Sequence, residues 1–389
     1  MKYCNKSCVG VEIRISYFKK KNTEEQYLIL SPSPKKTFTE QINSIENALC
    51  CYLTDRNINS KNTIFKRFFV SDYANQYKDI ELISKQSDKK HNCSISVVQQ
   101  APLNGEKVVL LVYIINDKTT IKSIKVQKTK NELILKRKHY SHIWNTQLIS
   151  DKLSPSSYIQ TENIFNKFNI NLNNKDLSIK ENCIRTWLFV KDVDFNYDGV
   201  VKARNAKFDE LAMTKHTHFI ASTGIEGRHF NPKVNTLMDT YSIDGVKNEQ
   251  IKFIEAPNNL NPTHQYGVAF ERGTSVDYGD RRHTFISGTA SIDNKGKVVY
   301  KGDINKQIER VLENISALLA NTDTKMEDVS YFIIYLRDIS DTSTVSKYFE
   351  THYIQVPKVI VLAPVCRPEW LIEIECVAIK DIETNYHNF

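Results

Sequence analysis

The chain has 389 residues, 41% of them hydrophobic and 25% charged, with a formal net charge of +8. That length allows two or three ordinary domains with a sizeable core, and the composition excludes a fibrous or wholly disordered chain. The positive charge is spread over many lysines without interleaved aromatics, as in Lys19-Lys20-Lys21, so it does not call for nucleic acid; an anionic small molecule is the next reading.

In chain order, Ile42, Ile45, Leu49 and Leu53 recur at helical spacing, residues 59–62 form a polar turn, and residues 65–70 read as a strand. The Cys50-Cys51 pair falls on this helix and reads as packing. Residues 94–100 and, beyond Ala101-Pro102-Leu103, residues 108–115 predict two further strands. A second set follows, with a helical stripe at Ile164, Phe165, Phe168 and Leu172 and a strand over 184–190. Residues 218–222 predict a strand that ends in a glycine-marked break over 223–227, and another strand leads through 236–243. The third set has its stripe at Ile308, Val311, Ile315, Leu318 and Leu319, a turn over 322–327, and strands over 329–336, 358–362 and 371–379.

These sets are copies. Residues 41–72 slide onto 307–338 without a gap, so that Gln41-Ile42 meets Gln307-Ile308, Phe65 meets Tyr331 and Asp72 meets Asp338. Three α+β units of about 130 residues follow, with expected boundaries at 1–118, 119–250 and 251–389. No long Gly/Ser or Pro linker separates them, which favours an intramolecular pseudo-trimer over domains on a string.

The chemistry concentrates in the last strand. Alternation sends Leu371, Glu373 and Glu375 to one face and Ile372, Ile374 and Cys376 to the other. A carboxylate in an apolar strand is costly and tends to keep a proton. Val108 to Val112 stand where the third unit has Leu371 to Glu375, so the first unit lacks these acids and the chain is expected to hold one site. Upstream, Cys366-Arg367-Pro368 adds a polarisable thiol and a fixed cation beside a strand-breaking proline.

At these residues the chain resembles the RidA/YjgF superfamily. Residues 285–292 (FISGTASI) resemble that family's early strand, 307–319 its helix, and 371–377 its last strand, with the ligand-facing glutamate at Glu373. A narrower resemblance is to the chorismatases, carried by Val365-Cys366-Arg367-Pro368-Glu369-Trp370-Leu371-Ile372-Glu373, Ser287-Gly288-Thr289-Ala290-Ser291, Tyr266-Gly267-Val268-Ala269-Phe270-Glu271-Arg272 and Val201-Lys202-Ala203-Arg204-Asn205. The resemblance implies RidA/YjgF-like (chorismate-mutase-like) units and a lyase that removes pyruvate from chorismate without a cofactor. Glu373 would be the general acid, with Cys366 beside the ring; Arg367, Arg272, Arg204, Tyr266, Phe270 and Gly288 would hold the dianionic substrate. Cys366 together with Gly288 resembles the branch that forms 3-hydroxybenzoate, where glycine makes room for the ring; alanine-type residues resemble the hydrolytic branch. Glu375 is expected to be structural. A nearby Arg367 would lower the Glu373 pKa, against burial and the neighbouring acids.

Two other functions stay open: a non-catalytic small-molecule-binding protein and a RidA-like imine deaminase. The second is disfavoured because Lys358 stands where those deaminases carry an arginine. His216-Thr217-His218 could share a strand face, but no acidic or cysteine partner recurs at ligand spacing, so no metal is expected. The eight cysteines show neither zinc spacing nor the density of a secreted scaffold, and no run of about 18 apolar residues occurs. A monomer in the reducing cytoplasm, with no nucleic-acid or membrane partner, is the expectation.

Overall fold

The computed structural model describes residues 1–117, 124–129 and 131–389, apart from the side chains of residues 87–90, 124–128 and 266. The first set of elements is β1 (Lys2–Cys8), β2 (Val11–Lys20), β3 (Thr23–Pro32), α1 (Phe38–Asp55), β4 (Thr63–Val70), α2 (Tyr73–His91), β5 (Ser94–Gln99), β6 (Ala101–Pro102) and β7 (Val108–Asp117). The second is β8 (Ile124–Thr129), β9 (Glu132–Lys136), β10 (Ser141–Leu148), α3 (Ser157–Asn173), α4 (Ile179–Asn182), β11 (Cys183–Val190), α5 (Val193–Glu210), β12 (Ala221–Glu226) and β13 (Thr236–Asp244). The third is β14 (Ile251–Phe253), β15 (Gly273–Asp277), β16 (Arg281–Ala290), α6 (Ile304–Ala320), β17 (Val329–Leu336), α7 (Thr342–His352), β18 (Lys358–Leu362) and β19 (Ile372–Asp381).

Each set builds one sheet of the same topology. The orders are β1-β2-β3-β7-β4-β5, β8-β9-β10-β13-β11-β12 and β14-β15-β16-β19-β17-β18, and β6 of the first set adds to the far edge of the third sheet. In each, one parallel pair is joined by a crossover helix (β4 with β5, β11 with β12, β17 with β18), while the other pairs are antiparallel. Local chemistry starts the helices where the sequence allows: Thr37 and Glu40 form a capping box on α1, and Ser156 and Asp303 cap α3 and α6.

The three sheets pack around a shared aromatic core, which makes the chain an intramolecular pseudo-trimer. Tyr113 meets Trp144 at 6.3 Å, Tyr241 meets Phe285 at 5.5 Å, and Tyr331 meets Tyr27 at 5.0 Å, so each seam has its own aromatic contact. Buried ion pairs close the same ring. Arg67 reaches Asp239 at 2.9 Å, Arg185 reaches Glu375 at 2.8 Å, and Arg281 reaches Glu25 at 2.7 Å, every side chain being at most 3% exposed. Such pairs cost desolvation, and their clearest effect is to fix which edges meet and in which register.

Two expectations are corrected. Residues 218–220 precede β12, and the strand begins at Ala221 and runs through the stretch expected as a break. The backbone N–H of Phe219 donates to the Glu271 carboxylate at 2.7 Å and its ring is buried, so its apolar character serves packing instead of a ladder. His216 and His218 consequently lie in a loop rather than on a strand face, with His218 stacked on Phe253 at 4.2 Å. The second correction is one of register: Glu373 stands opposite Tyr335, the seventh residue of β17, whereas the seventh residue of β4, Phe69, stands opposite Val109. Val109 therefore occupies the Glu373 position of the first unit, one residue earlier than the sequence comparison implied. The carboxylates are still absent there.

Candidate active site

A cavity of about 140 Å³ lies at the seam between the second and third sheets. The second unit contributes Tyr197 and Arg204 from α5 with Ser222 and Gly224 from β12; the third contributes Phe270, Arg272, Gly288, Cys366, Arg367, Trp370 and Glu373. Seven of the eight residues singled out in the sequence thus line one cavity. The eighth, Tyr266, ends a short 3-10 turn, and its side chain lies outside the described residues.

The wall segments are held from neighbouring elements. Asn205 on α5 donates to the Gly267 carbonyl at 2.8 Å and accepts from the Ala269 N–H at 3.1 Å, which presents Phe270 to the cavity. Two guanidiniums lie over the Phe270 ring, Arg204 at 5.7 Å and Arg272 at 5.5 Å from its centre. Arg204 is 1% and Arg272 6% exposed, and Arg272 also donates to the Asn261 carbonyl at 3.0 Å. Gln307 on α6 clasps the loop before β19, donating to the Glu369 carbonyl at 2.9 Å and accepting from the Leu371 N–H at 2.9 Å. Arg337 donates to the Val365 carbonyl at 2.7 Å. Together these fix Cys366 and Arg367, whose guanidinium rests 4.7 Å from the Trp370 ring centre.

Glu373 is buried, and burial is the main reason its pKa is pushed up to about 8; Glu375 on the same strand face pushes in the same direction. Arg185 and Arg272 pull it back. The carboxyl is therefore protonated at neutral pH. Glu375 is engaged elsewhere: it accepts from Arg185 and from the Trp187 indole, each at 2.8 Å, and from the Thr223 hydroxyl. Burial and the nearby Glu373 push the Cys366 thiol up to about 12, while a hydrogen bond with Tyr197 and the Arg367 charge oppose this. Cys366 is a neutral thiol here and not a thiolate nucleophile.

Gly288 lines the cavity and also lies against Glu373. A Cβ built on it would fall 2.0 Å from the Glu373 Oε1 and 3.1 Å from the Thr223 methyl, so the space it leaves is filled by the acid itself. Its N–H donates to the Thr223 hydroxyl at 2.9 Å. Gly224 is the matching case across the seam, since its Cβ would lie 2.8 Å from the Tyr197 ring. Gly288→Ala should fold, because only the flexible end of Glu373 must move, but displacing that carboxyl should lower turnover by about 10²-fold. Steady-state rates alongside a melting curve check this, and unchanged rates would show that the acid's position is unimportant.

Sequence reasoning missed Tyr197 and Arg185, and it gave no role of their own to Thr223 and Ser287. Tyr197 lies seven residues before Arg204, hence on the same helix face, and that spacing was an available signal. Ser287 accepts from Arg185 at 3.1 Å and from the Ser222 N–H at 2.9 Å, and donates to the Glu271 carbonyl at 2.6 Å, joining the two units beneath the cavity. Among the described residues no group of three or more His, Cys, Asp or Glu side chains gathers as a metal site, and no helix is long and apolar enough to cross a membrane.

The sequence model of the family described as Endoribonuclease L-PSP matches residues 269–380, which hold β15 from Gly273 through nearly all of β19. A RutC family protein of Pyrococcus abyssi is 31% identical over 136 residues, covering 34% of this chain and 98% of that protein. The chain belongs to the RutC family. A second RutC relative, the 3-aminoacrylate deaminase RutC of Acinetobacter baylyi, is 30% identical over 96 residues, covering 24% of this chain and 76% of that protein. Beyond the RutC-like third, a solved chorismatase structure is similar to the whole arrangement, with a TM-score of 0.60 at 16% identity over 82% of this chain and 93% of that one. That likeness shows the fold of the chain beyond its RutC-like third.

Proposed function

We propose that the chain is a chorismatase-type lyase that converts chorismate to a hydroxybenzoate, 3-hydroxybenzoate in preference, and pyruvate. The observation that carries this reading is a protonated carboxyl, Glu373, in a cavity lined by Arg204, Arg272 and Arg367. Guanidiniums suit carboxylates, and a dianion with an acid-labile enol ether needs cations around a proton donor. Glu373 gives its proton to the enol-ether methylene, making that carbon the methyl group of pyruvate. The neighbouring ring hydroxyl then displaces pyruvate, whose carbonyl oxygen keeps the electrons of the broken ring C–O bond, and the hydroxyl proton returns to the Glu373 carboxylate. Opening of the arene-oxide-like intermediate gives the phenol, and the two products together hold the atoms of chorismate. The hydrolytic branch would take up one water.

The neutral Cys366 thiol suits a polarisable neighbour of this ring rather than a covalent trap. We also propose the unit boundaries at 118 and 250, the first of which lies outside the described residues. Purified protein given chorismate should yield pyruvate and an aromatic hydroxybenzoate by chromatography. A dihydroxycyclohexadiene carboxylate would reassign the branch, and no turnover would remove the enzyme reading.

The second reading, imine deamination, draws on the 3-aminoacrylate deaminase among the relatives. Against it, Lys358 donates to the Tyr353 carbonyl at 3.0 Å and pairs with Glu350 at 3.1 Å, and it is not among the cavity's lining residues. Ammonia release from an imino acid separates the two.

The raised pKa also predicts a stability slope. Glu373 keeps its proton in the folded chain up to about pH 8, whereas the unfolded chain releases it near 4.5. Stability from this group is full below pH 4.5 and is lost as pH rises toward 8, because over that window only the unfolded state gains from deprotonation. Glu373→Gln lacks the slope, so its melting temperature should gain on the parent steadily from pH 4.5 to 8. A constant difference would mean the carboxyl is not held protonated.

A further inference from the structure

A larger cavity, of about 590 Å³, lies at the seam between the first and second sheets. It is the pseudo-symmetric counterpart of the candidate active site, residue by residue. Tyr77 is the fifth residue of α2 as Tyr197 is of α5, and Ser84 is the twelfth where Arg204 is. Ile95 and Val97 take the second and fourth places of β5, which Ser222 and Gly224 hold in β12. Asn131 precedes β9 as Arg272 precedes β15. Gln147 takes the place of Gly288, each being the second of two residues in the irregular stretch of its strand, between Asn145 and Leu148 or between Ile286 and Thr289. Phe230 lies four residues beyond the end of β12, as Cys366 does beyond β18.

Each charged residue of the candidate active site has an uncharged counterpart here. Of the three cavity arginines, Arg204 becomes Ser84, Arg272 becomes Asn131 and Arg367 becomes Asn231; the acid Glu373 becomes Leu237, opposite the seventh residue of β11. What remains is an aromatic wall, in which Tyr77 stacks on Phe230 at 4.4 Å and Tyr73 meets the same ring edge-on at 5.5 Å, beside Ile95 and Val97. Burial holds the His229 pKa down to about 4, so this side chain is neutral. The two charged lining residues are already paired, Glu81 with Lys85 and Lys167 with Asp151. A concave, aromatic, charge-poor cavity binds flat apolar molecules and rejects anions, whose desolvation nothing there repays.

We propose that this cavity is a second small-molecule site, specific for an uncharged aromatic compound. It stands on its own geometry and does not depend on the activity assigned above. The test is fluorescence titration of the full chain with N-phenyl-1-naphthylamine, an uncharged aromatic amine that brightens in apolar surroundings. Saturable binding of one probe per chain is expected, unaffected by Glu373→Gln. Val97→Trp, which fills the cavity, and Ser84→Arg, which restores the cation of the sister site, should each weaken binding at least about tenfold. Ser84→Arg is the milder change, since the matching helix position already carries an arginine, so it decides the matter if Val97→Trp does not fold. No saturable signal, or a signal retained in Ser84→Arg, would overturn the proposal, as would loss of the signal in Glu373→Gln.

Discussion

Glu373→Gln should lower kcat on chorismate by about 10²–10⁴-fold, the range usual for removing a general acid, with KM changed little. The amide keeps the shape that fits against Gly288, and the three cavity arginines are untouched, so binding should survive while the transferable proton is gone. The pH profile adds a second mark. Because the parent carboxyl is held near 8 by burial and by Glu375, its kcat should be level through neutral pH and fall above about 8 as the acid loses its proton. Steady-state kinetics from pH 6 to 10 check both statements. A variant with full activity, or a parent whose rate rises with pH through 8, would remove Glu373 from the acid role.

Arg185→Met should destabilise the fold by about 3–5 kcal/mol, since it strands the buried Glu375 carboxylate without its cation. Arg185 is 2% and Glu375 3% exposed on their side chains, and the pair crosses the seam that holds the candidate active site. The Trp187 indole and Thr223 hydroxyl still bond Glu375, but neither carries charge. The double variant Arg185→Met with Glu375→Leu should recover most of the loss, because two apolar groups remove the desolvation problem that one alone creates. Denaturant unfolding of the three variants measures this. A single variant as stable as the parent would mean that the seam does not depend on the pair. Arg185 also draws the Glu373 pKa downward, so its removal should shift the upper limb of the activity profile to higher pH.

The repeat was legible because its strongest signal is short-range. The starts of α1 and α6 lie 266 residues apart, and so do those of β4 and β17, so a gap-free comparison captures the helical stripe, the turn and the strand together. Beyond them the copies diverge: α2 has 19 residues and α7 has 11, so residue counting no longer carries register to β7 and β19. A slip of one residue there exchanges the two strand faces, which is why Val109 rather than Leu110 is the counterpart of Glu373.

The site was readable where its residues cluster in one motif, as Cys366, Arg367 and Glu373 do. Arg185 was not readable, because its partner Glu375 lies 190 positions away and a strand arginine alone does not reveal which edge it will meet. Gly288 was recognised from its motif, but that its missing side chain leaves room for the Glu373 carboxyl depends on how β16 and β19 pair, which the sequence does not reveal.

The two-residue strand β6 carries a wider consequence. Ala101 and Pro102 pair with Leu362 and Val361 on β18, and the Leu103 N–H donates to the Ile360 carbonyl at 3.0 Å. An uncovered edge would offer its backbone groups to any passing chain, and a proline closes such a row because it has no N–H to give. The first unit, which has no counterpart of Glu373, therefore occupies the edge of the sheet that carries Glu373, so that the sheet holding this acid is completed by a segment about 270 residues away in the chain.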